Sequence, residues 1–264
     1  MFSGQVVWIT GASGGIGEAL AVAFAQAGAK LVLSARRREE LDRVAAKCGG
    51  AEVLVLPMDL AKSEEFAALT AQVLARFGRV DVVVHNGGVS LRALVKETQL
   101  EVHRRLMEVN YFGAVALTRE VLPSMLAAKR GHFVVISSVA GKLGTPLRSA
   151  YCASKHALHG FFDCLRAETA RDGLTVTLVC PGYIATDVSK NALTADGTPT
   201  QKTGEDVANG YPPDATARQI LSAVAAKKSE VYVGRFFGKE RLALALKRFL
   251  PGLLEKMVQN QAPR

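Results

Sequence analysis

Short, wholly apolar runs alternate along this chain with stretches in which apolar residues recur every three to four positions. The runs near 5–10, 29–34, 52–56, 80–85, 131–137 and 174–180, and a weaker one near 230–233, predict strands. The intervals near 15–28, 37–47, 63–77, 99–128, 150–171 and 214–226 predict helices. Strands that are apolar on both faces and separated by helices predict an α/β fold. Its parallel, doubly wound sheet has about seven strands, with helices covering both sides. Right-handed crossovers then bring the C-terminal ends of the strands to one edge. The segment 187–213 departs from this rhythm, being polar, rich in Thr, Gly, Asp and Asn, and without period. A loop of that length inside a compact domain predicts a lid, and its place after the sixth strand puts it over the sheet edge. A chain of 264 residues suits one domain spanning 1–264.

Chemistry gathers at the predicted strand ends. Gln5 to Thr10 reads as a buried strand; Gly11, Gly15 and Gly17 follow, and an Ala-rich helix runs from Glu18 to Gly28. In such a loop Gly11 permits a tight turn, Gly15 a close backbone approach to phosphates, and Gly17 close packing of helix on strand. The helix N–H groups then face a dinucleotide's pyrophosphate. Three glycines also suit a tight turn with no ligand. Further along, YCASK places Tyr151 and Lys155 at i and i+4, on one helix face. An ammonium so placed favours phenolate, which predicts a Tyr151 pKa below the usual ~10 and a usable proton donor. Ser138 ends the fifth strand and is a hydrogen-bond donor for a substrate oxygen. Alone, Ser138 reads as a helix cap or turn and Asn110 as a buried polar residue satisfied by backbone. The conjunction points to transfer of a hydride and a proton to or from a carbonyl.

The residues Thr10-Gly11, Gly15-Ile16-Gly17, Asp59, Asn86-Gly87-Gly88, Asn110, Ser138, Tyr151, Lys155 and Pro181-Gly182 resemble, in order and spacing, the single-domain short-chain dehydrogenases/reductases, which have a Rossmann-type sheet. The resemblance spans nearly the whole chain. AAKKSEVYVG and LPGLLEKM resemble the dehydrogenase/reductase member-7-like branch. The resemblance implies that Tyr151 gives and takes the proton, Lys155 binds the nicotinamide ribose, and Ser138 bonds the substrate oxygen. It implies further that Asn110 holds a water leading from Lys155 to solvent. For the cofactor it implies Gly11, Ser13, Gly15, Ile16 and Gly17 near the phosphates. Asp59 would meet the adenine amino group with Leu60 alongside, Asn86 and Gly88 would give backbone contacts, and Pro181, Ile184 and Thr186 would cradle the nicotinamide. Ala35 stands where an NAD-preferring relative has an acid, and Arg36 and Arg37 follow it. Arginine can fork a 2′-phosphate, so NADP(H) is expected over NAD(H), with Arg36 as the ligand and Ser13 assisting. The competing reading is that RRREE merely starts a solvated helix. His85 and Gly87 depart from the family's Asn-Asn-Ala-Gly.

The expected substrate is a small hydrophobic carbonyl or alcohol, walled by Val89–Leu94, Val139–Leu147, Tyr183 and the 187–213 segment. Two other readings are a 3-oxoacyl thioester reductase and an NADP-binding scaffold or redox sensor without turnover. A homodimer or homotetramer through the helices near 99–128 and 150–171 is implied by the resemblance.

Composition narrows the setting. The four cysteines form no CxxC pair, which suits reduced thiols of a cytoplasmic protein. Residues 1–10 run straight into a strand, so no cleaved signal is expected. His156 and His159 are spaced i, i+3 but lack a third ligand, so no metal is expected; they, His103 and His132 read as surface or subunit-contact residues. Net charge is +9, and Lys227 to Arg264 holds nine basic and three acidic residues, net +6. Within it, 238–260 is basic and amphipathic, which fits either an anionic membrane surface or packing on the domain or a partner subunit. No basic run is interleaved with aromatics, so nucleic-acid binding is not expected.

Overall fold

The computed structural model describes residues 2–202, 204–235 and 238–260. Seven strands, β1 (Val6–Thr10), β2 (Lys30–Ser34), β3 (Val53–Val55), β4 (Val82–His85), β5 (Gly131–Ile136), β6 (Leu174–Pro181) and β7 (Glu230–Val233), form one sheet. Their order is β3-β2-β1-β4-β5-β6-β7 and all six pairings are parallel. The order reverses between β1 and β4, which opens a crevice at the strand C-termini.

Alternation along each strand divides the core into two layers. Val7, Ile9, Leu31, Leu33, Val84 and Val179 face α1 (Gly15–Gln26), α2 (Arg38–Lys47) and α8 (Pro213–Ala225). Trp8, Val32, Val83, Phe133, Val135 and Leu178 face α3 (Phe66–Phe77), α5 (Gly113–Ala127) and α6 (Ser149–Glu168). A third, smaller cluster joins Leu91, Ala93, Val102, Leu106, Ala150 and Leu193 around α4 (Leu100–Met107), beside the strand ends.

Three expectations change. The long helix near 99–128 is α4 and α5 joined by a π turn over Glu108–Phe112, which holds Asn110. The 187–213 segment is not a free loop: it contains α7 (Glu205–Ala208), pairs Leu193 with Leu91, and gives the Leu193 and Ala195 carbonyls to Arg92 and Gln99. The 238–260 segment is two helices, α9 (Lys239–Phe249) and α10 (Pro251–Gln259), broken where Leu250 leaves helical geometry and Pro251 starts the next turn.

His132, read from sequence as a surface residue, is buried, as is His85. Each ring has one hydroxyl partner: His85 Nε2 meets Thr118 Oγ1 at 2.8 Å and His132 Nε2 meets Thr177 Oγ1 at 2.8 Å. His85 also stacks on Phe133, with centroids 6.1 Å apart, so an aromatic layer accommodates it where an asparagine was expected. Burial pushes the His85 pKa down to about 3 and, with help from Lys227, that of His132 down to about 4. Both values lie below the ordinary histidine range, so the unfolded chain binds more protons between those limits. The stabilisation is complete above an unfolded pKa of ~6.5 and is lost as pH falls, at about 1.4 kcal/mol per pH unit for each ring. Urea titrations at pH 7, 6 and 5 should show unfolding free energy dropping more steeply between pH 6 and 5 than between pH 7 and 6, and His132→Gln should make the fall shallower.

Candidate active site

The glycine turn after β1 is held by the loop after β4. The Asn86 amide donates to the carbonyls of Thr10 and Gly11, both at 3.0 Å. Thr10 Oγ1 accepts the backbone N–H groups of Asn86 and Gly87 at 3.0 and 3.1 Å. A Cβ on Gly17 would lie 2.2 Å from the Gly11 carbonyl oxygen, and one on Gly11 would lie 2.6 Å from the Gly87 Cα. Gly11 and Gly15 both have positive φ, +63° and +56°. These glycines are therefore required by packing before any ligand is considered. Asn86, expected to contact a cofactor, spends both amide hydrogens on the turn; its role is to lock it.

Gly15 faces Thr186, whose side chain would be 3.0 Å from a Cβ there, so the segment after β6 closes onto the glycine turn. Ile184 is buried, and Ala185 donates to the Tyr211 carbonyl at 3.0 Å. On the other side, Ala12 donates to the Ser34 carbonyl at 3.1 Å and Met58 to that of Ala35 at 3.0 Å. Ser13, exposed Arg36 and Arg37, and Asp59 thus share one edge. The Ser13 carbonyl accepts from Arg43, a neighbour the sequence did not point to, which also pairs with Glu18. Asp59 turns its carboxylate to the Ala61 N–H at 3.0 Å.

Gly87, the second departure from the family pattern, has a local cause: a Cβ on it would lie 2.5 Å from Leu60 Cδ1. Leu60 fills the space that an alanine methyl would take, and its carbonyl is covered by Gly113 of α5.

The face of α6 brings the candidate catalytic residues together. The Ser138 side chain stands near enough to the Tyr151 phenol to favour phenolate, and its Oγ accepts the Ala140 N–H at 3.1 Å. Lys155 is buried and donates to the Ile136 carbonyl at 2.8 Å; its ammonium is 5.8 Å from the Tyr151 ring centroid. A Cβ on Gly88 would be 3.0 Å from Asn110 Oδ1 and 3.7 Å from Lys155 Nζ, so Gly88, Asn110 and Lys155 converge. The Asn110 side chain accepts the Val89 N–H at 2.8 Å and donates to the Val89 carbonyl and Ser154 Oγ, both at 2.9 Å. Both of its donors are committed to the protein.

The electrostatics differ from expectation. Burial pushes the Tyr151 pKa up, against the Ser138 side chain and the positive charge of Arg148, which favour phenolate. Burial also lowers the Lys155 pKa, to about 8, and its ammonium donates one hydrogen to the Ile136 carbonyl. Arg148 is a residue missed from sequence, although its place three residues before Tyr151 was a signal. Its guanidinium also lies 5.5 Å from the Tyr183 ring centroid.

His159, expected at the surface, is buried on the same α6 face, one turn beyond Lys155. Its Nε2 meets Ser137 Oγ at 3.0 Å and Nδ1 lies 3.6 Å from Glu230 Oε2, which pairs with Lys142 at 2.7 Å. Burial and Lys142 lower its pKa to about 4, against the pull of Glu230. Ser137 also donates to the Lys155 carbonyl at 3.3 Å, so this network props the strand end that carries Ser138.

Comparison with known proteins agrees with this geometry. Residues 5–197 match the family model described as short chain dehydrogenase. The chain is 44% identical over 256 residues to the Drosophila melanogaster dehydrogenase/reductase SDR family protein 7-like, covering 95% of this chain and 78% of that one. A metagenomic short-chain oxidoreductase solved in complex with NADP is 33% identical with a TM-score of 0.74, over 88% of this chain and 97% of that one. A Burkholderia phymatum short chain dehydrogenase/reductase in complex with NAD is 26% identical with a TM-score of 0.84, over 96% and 95% of the two chains.

Because a Cβ on Gly87 meets the movable end of Leu60 rather than backbone, Gly87→Ala should destabilise the protein by no more than about 1 kcal/mol. Leu60→Ala in the same chain should recover part of that loss. A double-mutant cycle on urea unfolding measures the coupling.

Proposed function

Since this chain belongs to the short-chain dehydrogenase/reductase family, we propose that it interconverts a carbonyl and an alcohol with NADP(H), using Tyr151 as proton donor and acceptor. The observation that carries this reading is the placing of Tyr151 and buried Lys155 one turn apart on α6, the ammonium 5.8 Å from the Tyr151 ring centroid, with Ser138 close enough to favour phenolate. The chain fits a dinucleotide. Helix α1 begins at Gly14 with no side-chain cap, which leaves its first N–H groups free for a pyrophosphate. Gly11, Gly15 and Gly17 keep the approach clear of side chains, and Gly88 keeps the space beside Lys155 and Asn110 open. When bound, the cofactor supplies or accepts the hydride.

The protein's own part is proton handling and orientation. Ser138 positions the substrate oxygen against the Tyr151 hydroxyl. Arg148 offsets burial when phenolate forms, and the Lys155 ammonium, 5.8 Å from the Tyr151 ring centroid, adds positive charge on the same side. Asn110 anchors Val89 and Ser154, and its remaining acceptor and its carbonyl are the places for a water leading to Lys155. Pro181, Ile184 and Thr186 orient the nicotinamide end, Ile16, Asn86 and Gly88 the middle, and Asp59 and Leu60 the adenine end. Arg36, with Arg37 and Ser13 beside it, supports NADP(H), being exposed at the end of β2 where no acid stands. The Leu91–Leu193 contact and buried Leu143 support a hydrophobic substrate, held under the 187–213 segment as lid. Association as a homodimer or homotetramer through α4–α5 and α6 is supported by Phe112, which is exposed on that face.

Tyr151→Phe removes only the hydroxyl, so kcat should fall by about 10²–10⁴-fold while dinucleotide affinity, read by fluorescence titration, stays near wild type. Wild-type turnover in that variant would overturn the reading. Arg36→Asp should lower the NADPH-to-NADH ratio of kcat/KM by ~10-fold or more, equivalent to at least ~1.4 kcal/mol of lost discrimination. An unchanged ratio would transfer the preference away from β2.

A further inference from the structure

Helices α9 and α10 contain no fully buried residue; Leu244, Leu246, Leu254 and Val258 are half-buried, while Leu242, Phe249, Leu250, Leu253 and Met257 are exposed. Phe249 is 72% exposed, Leu242 58%, Leu250 55% and Leu253 49%. The polar side of this pair holds it to the domain instead. Glu240 accepts the Tyr183 N–H at 3.0 Å, and Lys239 pairs with Asp206 of α7 and lies 5.2 Å from the Tyr183 ring centroid. Arg241 donates to the Tyr232 carbonyl at 3.2 Å, and the Lys247 ammonium donates to the Lys142 carbonyl. A surface helix of a water-soluble domain normally does the reverse, burying its apolar stripe and solvating its charges. Glu240, the acid in α9, is turned inward, so Arg248 and Lys256 with Glu255 give the outward surface a positive balance.

We propose that α9 and α10 form a docking surface for an anionic lipid bilayer. Phe249, Leu250 and Leu253 would enter the acyl boundary, and Arg248 and Lys256 would meet the headgroups. The contact is with the surface only, since no helix among the described residues is long and apolar enough to cross a membrane. Charge favours an anionic surface over a second copy as the occupant, since a second copy would bring a patch of the same net positive charge. The root of this surface is the Tyr183 backbone, directly after the Pro181-Gly182 segment, and Asp206 of α7. Docking would therefore place the edge of the candidate site, and the segment that covers it, at the bilayer. The surface does not rest on the oxidoreductase reading, because its binding is read without turnover.

The full chain is to be sedimented with vesicles of phosphatidylcholine alone and of phosphatidylcholine with phosphatidylserine. The expected result is binding that rises with phosphatidylserine content and weakens with added salt. Phe249→Glu with Leu253→Glu should reduce the partition at least tenfold, with unchanged circular dichroism and Tm because both side chains are solvent-exposed. Failure to sediment with phosphatidylserine vesicles, or equal binding to both vesicle types, overturns the proposal. So does conversion of a wild-type dimer to a monomer by the same two substitutions without loss of vesicle binding, since the patch would then be a subunit contact.

Discussion

The grip of Asn86 on the carbonyls of Thr10 and Gly11 is the constraint from which the rest of the edge is built. At the reversal of strand order β1 and β4 end side by side, and their chains must diverge to opposite faces of the sheet. Something must satisfy the backbone groups released there. One amide and one threonine hydroxyl do so, and they draw the two loops so close that Gly11 and Gly17 admit no Cβ. The same closeness sets the height of α1 and leaves its start uncapped. The side-chain-free start of α1 is therefore a by-product of satisfying the backbone, and Leu60 and Gly113 carry the same tight spacing toward α5.

Much of this was legible in the sequence. Strands that are apolar on both faces and the helical intervals between them predicted the parallel sheet, because burial on two faces leaves a pattern that water-facing strands lack. The weak run at 230–233 is also a true strand. What sequence periodicity could not reveal was long-range. Nothing local marks Asn110 as the centre of a π turn, because the turn exists to aim its amide at Val89 and Ser154 across the fold. His159 and His132 read as surface groups because a histidine's burial depends on partners from distant strands: Ser137 and Glu230 for one, Thr177 for the other. The segment 187–213 lacked period because its order comes from pairing with the loop after β4 rather than from a repeating face.

The candidate site shows the same division. The spacing of Tyr151 and Lys155 placed both on one face of α6, and that is where they lie. The spacing did not disclose the balance of charge. A phenol with its pKa raised and an amine with its pKa lowered are both being pushed toward their neutral forms by one cause, removal from water. Lysine at i+4 is therefore insufficient by itself to hold phenolate in this environment. The side chain of Ser138 and the charge of Arg148 already favour phenolate.

This balance bears on how such a site would be switched on. With burial dominant, Tyr151 keeps its proton until further positive charge enters the same enclosed volume, where an added charge is worth far more than in water. Lys155, its pKa lowered to about 8, gives one of its three ammonium hydrogens to the Ile136 carbonyl and keeps its charge 5.8 Å from the Tyr151 ring centroid. The Ser137–His159–Glu230 network braces the strand end that carries Ser138. The strand end and the buried ammonium are thus both fixed by hydrogen bonds, so the burial that raises the Tyr151 pKa and the positive charge beside it act over set distances.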